Sequence, residues 1–249
     1  MFKRNWKLPE PAALRHWGME LLVVMAGVLL ALAAQSWFEG RKEARMLAIN
    51  ERAVRDEMRY NLGTSVVHAS LGSCKESAVA AYRQAVLAAG ETWPGLLEAA
   101  GQGIGTGGSF YPLPLYSFRT EAWDAALASG TLDAMDREQF NDYLDAYTVI
   151  RILAAWEERE GAARDGLSGL LYPGTMTPEI RLDALRDLDA LDRNLQLRSR
   201  MALLESFAPL ELENDAELDA MLVTWRQVLR EDGFEGCGAA VVNPLAAAR

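Results

Sequence analysis

Three glycines are the first residues that invite a chemical reading. Gly103, Gly105 and Gly108 match GxGxxG in letters. A dinucleotide fingerprint needs a strand before the glycines and a helix after them. Here the helical run LLEAA precedes and YPLPL follows, so a nucleotide site is not expected. Two cysteines, Cys74 and Cys237, are too far apart for a CxxC redox or zinc motif. Either they form a disulfide, which export to an oxidising compartment would favour, or they are two unpaired thiols. His16 and His68 are the only imidazoles, which excludes a His-rich metal site. Asp183, Asp187, Asp189 and Asp192 alternate with Arg186 and Arg193 along a helical pattern. They read as a solvated charged face rather than a carboxylate pair. No HExxH, GxSxG, Walker lysine loop or Cys/His nucleophile pair is present. No catalytic residue, cofactor or metal is assigned.

One more titratable residue stands apart. Glu20 sits at the edge of the stretch Trp17–Phe38, which carries no charge from Leu21 onward. As a helix the stretch is long enough to cross a hydrocarbon core of ~30 Å at ~1.5 Å per residue. Trp17 at one end and Trp37 with Phe38 at the other suit the two interfaces. A carboxylate in a span is a candidate functional group; the plainer reading pairs Glu20 with His16 or Arg15 at headgroup depth. Glu20, Val24, Gly27, Ala31, Ala34 and Gln35 share one face. Small residues there admit a second helix, and Gln35 can hydrogen-bond across the contact. Ala31-Leu32-Ala33 has the form of a signal-peptidase site. The apolar helix continues past it into a helical segment with no turn residue before Gly40, which favours an uncleaved anchor.

Charge and length set the rest. Residues 1–38 hold four basic and two acidic side chains, leaving 21 basic and 33 acidic, a balance of −12, for residues 39–249. A domain this acidic repels phosphate backbones and anionic lipid headgroups, so nucleic acid is not an expected partner. The expected organisation is a short cytoplasmic N-terminus (1–16), one transmembrane helix (17–38) and an acidic helical extracytoplasmic domain (39–249). A long trailing domain is usually translocated whatever its flanking charges.

The segment Glu20-Leu-Leu-Val-Val, then Gly27-Val-Leu-Leu-Ala-Leu and Trp37-Phe-Glu-Gly-Arg41, resembles the opening of an uncharacterised group of bacterial single-span inner-membrane proteins. The segment from Phe118 to Gly130, FRTEAWDAALASG, resembles their middle. The resemblance implies a bacterial inner-membrane anchor carrying a periplasmic helical domain. It offers no active site.

The soluble part reads as all-α. A stalk helix over about 41–71 places Leu47, Val54, Met58, Leu62 and Val66 inward, with Gly63 and Gly72 as points where it bends or ends. A second helix over 75–89 buries Val79, Tyr82 and Val86. Residues 90–118 read as loop, with one short helix at Pro94–Ala100. Its strip Tyr111, Leu113, Leu115, Tyr116 and Phe118 either docks a partner or folds down as core. Thr120 is the expected N-cap of a helix that turns Trp123, Ala126 and Leu127 inward. Asp133 or Asp136 opens a longer helix, Asp136 with Gln139 being capping-box-like, with the stripe Phe140, Tyr143, Leu144, Tyr147, Ile150 and Ala154. Thr177-Pro178 opens another, lined by Leu182, Leu185, Leu188, Leu191 and Leu195. Asn214 with Glu217 opens the last, lined by Leu218, Met221, Leu222, Trp225, Val228 and Leu229. The sequence thus predicts a membrane-anchored interaction module, with another transmembrane helix as partner. The alternative is an enzyme with a carboxylate-based site near the 101–118 loop.

Overall fold

The computed structural model describes residues 11–99, 111, 117–199, 207, 210 and 215–231. Its architecture is all-α. The helices are α1 (Pro11–Ser70), α2 (Gly72–Ala88), α3 (Leu96–Ala99), α4 (Glu121–Ala128), α5 (Arg137–Gly166), α6 (Pro178–Ser199) and α7 (Ala216–Glu231). Thr92–Trp93 (β1) and Gly174–Thr175 (β2) form a two-residue antiparallel ladder, Thr92 opposite Thr175 and Trp93 opposite Gly174. The chain divides into two compact units, residues 1–50 and 51–249.

In the first unit, α1 is one helix long and apolar enough to cross a membrane by length and composition. Every side chain over residues 19–38 is exposed. In the second unit, α6 lies against both α2 and α5. Its core joins Val79, Tyr82 and Val86 of α2 to Leu188, Leu191 and Leu195 of α6, with Trp93 and Leu96 from the connection between α2 and α4. The Trp93 indole N–H donates to the Leu170 carbonyl at 2.7 Å. Gly95 closes this corner with φ +105°, and a Cβ there would stand 2.9 Å from the Leu171 carbonyl oxygen. Only glycine fits both the angle and the gap.

Local capping works as expected at two helices. The Asp136 carboxylate accepts the N–H groups of Glu138 and Gln139 at 2.9 and 3.3 Å, and the Thr177 hydroxyl accepts the Ile180 N–H at 3.3 Å. At α7 the cap is Asp215, which accepts the Glu217 and Leu218 N–H groups, each at 3.0 Å. Asn214 lies outside the described residues.

Several expectations are corrected. Gly63 is not a hinge: α1 runs through it, and a Cβ at this position would come within 2.6 Å of the Trp225 ring and 2.7 Å of Met221 Cε. The missing side chain lets α7 approach α1. Leu127, Leu144 and Leu182 are exposed. Each lies at the margin of its stripe, and Ala126, Ala146 and Ala184 take the inward places because close helix contacts favour a small residue. Val66 is half-buried while Val67 is buried. The 92–93/174–175 ladder had no signal, being too short to show alternation.

Candidate functional site

The most polar part of the interior follows from a helix that breaks its own pattern. Glu57, Asn61, Thr64, Ser65 and His68 are all buried on α1, at three- and four-residue spacings that place them on one side. Burying such groups is costly unless each is hydrogen-bonded. Most of these side chains are used on the segment 117–123. Asn61 clasps the Arg119 backbone both ways: its amide donates to the Arg119 carbonyl at 2.7 Å, and its carbonyl oxygen accepts the Arg119 N–H at 2.8 Å. The Arg119 guanidinium lies 3.8 Å from the centre of the Tyr60 ring, a cation–π contact. His68 stacks on Phe118, with ring centres 5.6 Å apart.

Glu57 reaches the start of α4. Its carboxylate accepts the Ala122 and Trp123 N–H groups at 2.9 and 3.2 Å and the Tyr147 hydroxyl at 2.5 Å. These amides are among the donors a helix N-terminus leaves open, and an anion is favoured there. Thr120 stands at the N-cap position but caps nothing; its hydroxyl bonds Asp124 at 2.8 Å. The cap comes from a residue 65 positions earlier. Burial pushes the Tyr147 hydroxyl far above the ordinary tyrosine value, and its bond to Glu57 pushes it further, so it stays a donor. Trp123 stacks on Tyr147 with ring centres 4.8 Å apart.

The second polar centre is an ion pair. Lys75 of α2 and Glu160 of α5 meet at 2.5 Å with side-chain exposures of 0% and 1%. The Tyr111 hydroxyl donates to the same Glu160 oxygen at 2.8 Å, and its ring centre lies 5.3 Å from the lysine nitrogen. Both charged residues occupy core registers: Lys75 is one turn before Val79, and Glu160 two turns after Leu153. That placement was the available sequence signal, and periodicity reasoning passed over it. A lysine, a carboxylate and a phenol can in principle exchange protons. Sealed from solvent, this group instead holds α2, α5 and Tyr111 together.

The remaining sequence candidates fall as follows. Among the described residues, no group of three or more His, Cys, Asp or Glu side chains could hold a metal ion. Tyr111 is buried and Phe118 half-buried; Leu113, Leu115, Tyr116 and the glycines 103, 105 and 108 lie outside the described residues. Cys74 is disulfide-bonded; Cys237, the other cysteine of the chain, lies outside the described residues. Glu20, Gly27, Ala31, Ala34 and Gln35 are exposed along α1. A Cβ at Gly27 would meet nothing within 4 Å. The Gln35 amide donates to Glu39 at 2.8 Å. No protein-family model, curated protein or solved structure matches this chain.

Proposed function

We propose that the protein is a membrane-anchored interaction module of a bacterial inner membrane. The span over residues 17–38 is its anchor, and the helical unit lies on the periplasmic side and acts by binding. One observation carries the anchor. Over Leu21–Phe38, α1 exposes 18 uncharged and mostly apolar residues in succession, a surface that water does not tolerate and lipid does. The disulfide at Cys74 supports the orientation, because such bonds persist in oxidising compartments. The partner is a second transmembrane helix, from another copy or a larger complex, seated on the Glu20, Gly27, Ala31, Ala34 and Gln35 face. The open space at Gly27 allows close backbone approach.

Crosslinking in native membranes, with cysteines placed at Val24 or Val28, tests the proposal. A crosslinked species that Gly27→Leu abolishes, and that Leu29→Ala on the opposite face preserves, is the expected result. Release of the protein by alkaline carbonate would overturn the anchor. Crosslinks indifferent to Gly27→Leu would overturn the contact face. A phosphatase reporter fused after Arg249 should be active; activity confined to a cytoplasmic reporter would reverse the orientation.

A further inference from the structure

The turns of α1 that follow the apolar stretch sort their side chains by sign. At ~100° per residue, Trp37, Phe38, Arg41, Lys42 and Arg45 fall within an arc of about 140°. Glu39 and Glu43 fall outside that arc, on the side of Gln35. Contacts within the helix follow the same division. Trp37 and Phe38 meet edge to face with ring centres 5.0 Å apart, and the Arg41 guanidinium lies 5.0 Å from the centre of the Trp37 ring. On the other side Gln35 donates to Glu39 at 2.8 Å. All three basic side chains are exposed.

We infer that Arg41, Lys42 and Arg45 form a one-sided collar that binds the phosphate of anionic phospholipid headgroups. The inference rests on the span proposed above. With the Trp37 and Phe38 rings at the edge of the hydrocarbon, a rise of ~1.5 Å per residue puts Arg41 about 6 Å further out and Arg45 about 12 Å. The headgroup layer is roughly 5–8 Å thick on each side. Side chains on a helix lean toward its N-terminus, here toward the membrane, so Arg45 reaches back into that layer. Guanidinium groups bind phosphate oxygens in pairs. The arc itself offers three cations and no carboxylate; Glu39 lies about 60° beyond Lys42, at its margin, and Glu43 further round. The strongly acidic remainder of the chain does not remove this local complementarity, because exposed charges are screened beyond about 8–10 Å at physiological salt.

Native mass spectrometry of the full-length protein in mild detergent, titrated with phosphatidylglycerol or phosphatidylcholine, tests the inference. The wild type should bind phosphatidylglycerol in preference. Each basic residue replaced by glutamine should weaken that binding roughly fivefold, the equivalent of ~1 kcal/mol per cation near the surface. R41Q/K42Q/R45Q should abolish the preference, and E39Q/E43Q should retain it. Equal binding of the two lipids by the wild type, or an unchanged preference in the triple variant, overturns the collar. Displacement of phosphatidylglycerol by inorganic phosphate would make the site a free-anion site and also overturns it. Resistance of the wild type to alkaline carbonate reports the span separately: a protein that stays embedded without lipid preference loses the collar and keeps the anchor.

Discussion

Two stretches of α1 invert the usual rule for side chains. Residues 21–38 are uncharged and fully exposed, whereas Glu57, Asn61, Thr64, Ser65 and His68 are polar and buried. A helix in water places its apolar residues inward and its polar residues outward. The first stretch departs from that rule because its surroundings are read as lipid, where leucine is as acceptable outside as inside. The second departs because two of its side chains, Glu57 and Asn61, face backbone amides and a carbonyl of another segment, which need hydrogen-bond partners; Ser65 bonds the Asn61 carbonyl of its own helix and His68 stacks on Phe118. The composition of a helix therefore reports what surrounds it, and the same periodicity serves opposite environments.

The largest expected effect comes from breaking a buried charge pair in the folded unit. Lys75→Met leaves the Glu160 carboxylate buried without its lysine and should cost ~3–5 kcal/mol of stability, read by urea unfolding of the detergent-solubilised protein. Adding Glu160→Leu should recover part of that loss, since two apolar residues replace the charges while the buried Tyr111 hydroxyl loses its acceptor. A double variant no more stable than Lys75→Met would mean that the pair contributes through its hydrogen bonds rather than its charge balance.

Next is a charge placed in the exposed apolar stretch. Leu29→Arg near its centre should penalise insertion by ~2.5–3.5 kcal/mol, seen as a carbonate-soluble fraction. The fold of the second unit should be unchanged by circular dichroism. Undiminished membrane retention would place the stretch in a protein interface or a watery groove instead.

Glu57→Leu tests the inverted stretch directly. It removes the acceptor of the Ala122 and Trp123 amides and of the Tyr147 hydroxyl, and should cost roughly 2–3 kcal/mol. Hydrogen exchange should accelerate at the start of α4 ahead of α5. Uniform acceleration across the unit would show that α4 has no separate dependence on this cap.

The smallest effect is a pH dependence at α7. Burial pushes the Asp215 carboxyl up, but the Leu218 N–H, the Arg59 guanidinium and the Glu217 N–H outweigh it and hold the group below the usual carboxylate value. Arg59 bonds Asp215 at 2.7 Å and also pairs with Asp56 and Glu217, at 2.5 and 2.6 Å. A depressed value means that the folded protein binds this proton less readily than the unfolded chain. The contribution is therefore complete above the ordinary value of about 3.9 and is lost as pH falls through the lower folded value. Asp215→Asn keeps a capping oxygen and loses the charge. Losing the charge opposite Arg59 should cost up to about 1 kcal/mol at neutral pH and flatten the acid limb of the stability profile, measured by thermal melts from neutral to strongly acidic pH.

Legibility in the sequence followed locality. The apolar stretch, the Asp136 and Thr177 caps and the inner leucines Leu188, Leu191 and Leu195 were all readable, because each depends on residues within a turn or two of itself. Capping at α4 was misread because Thr120 has the right local chemistry, and no local pattern shows that Glu57 provides the cap. Gly63 was misread for a similar reason: a glycine in a helix signals weakness until a tryptophan from another helix is known to fill the gap.

By itself the sequence determined that the chain is helical, strongly acidic after residue 38 and built around one uncharged helical stretch. Those properties follow from periodicity, charge count and length, which act along the chain. Only the tertiary structure decided which polar side chains lie inside: Lys75 with Glu160 and Tyr111, Glu57 with the start of α4, and Asn61 with Arg119. A buried charge is tolerable only when a partner from another element meets it at hydrogen-bond distance. That partner is chosen by the packing of α1, α2 and α5, and is separated from the charge by dozens of residues.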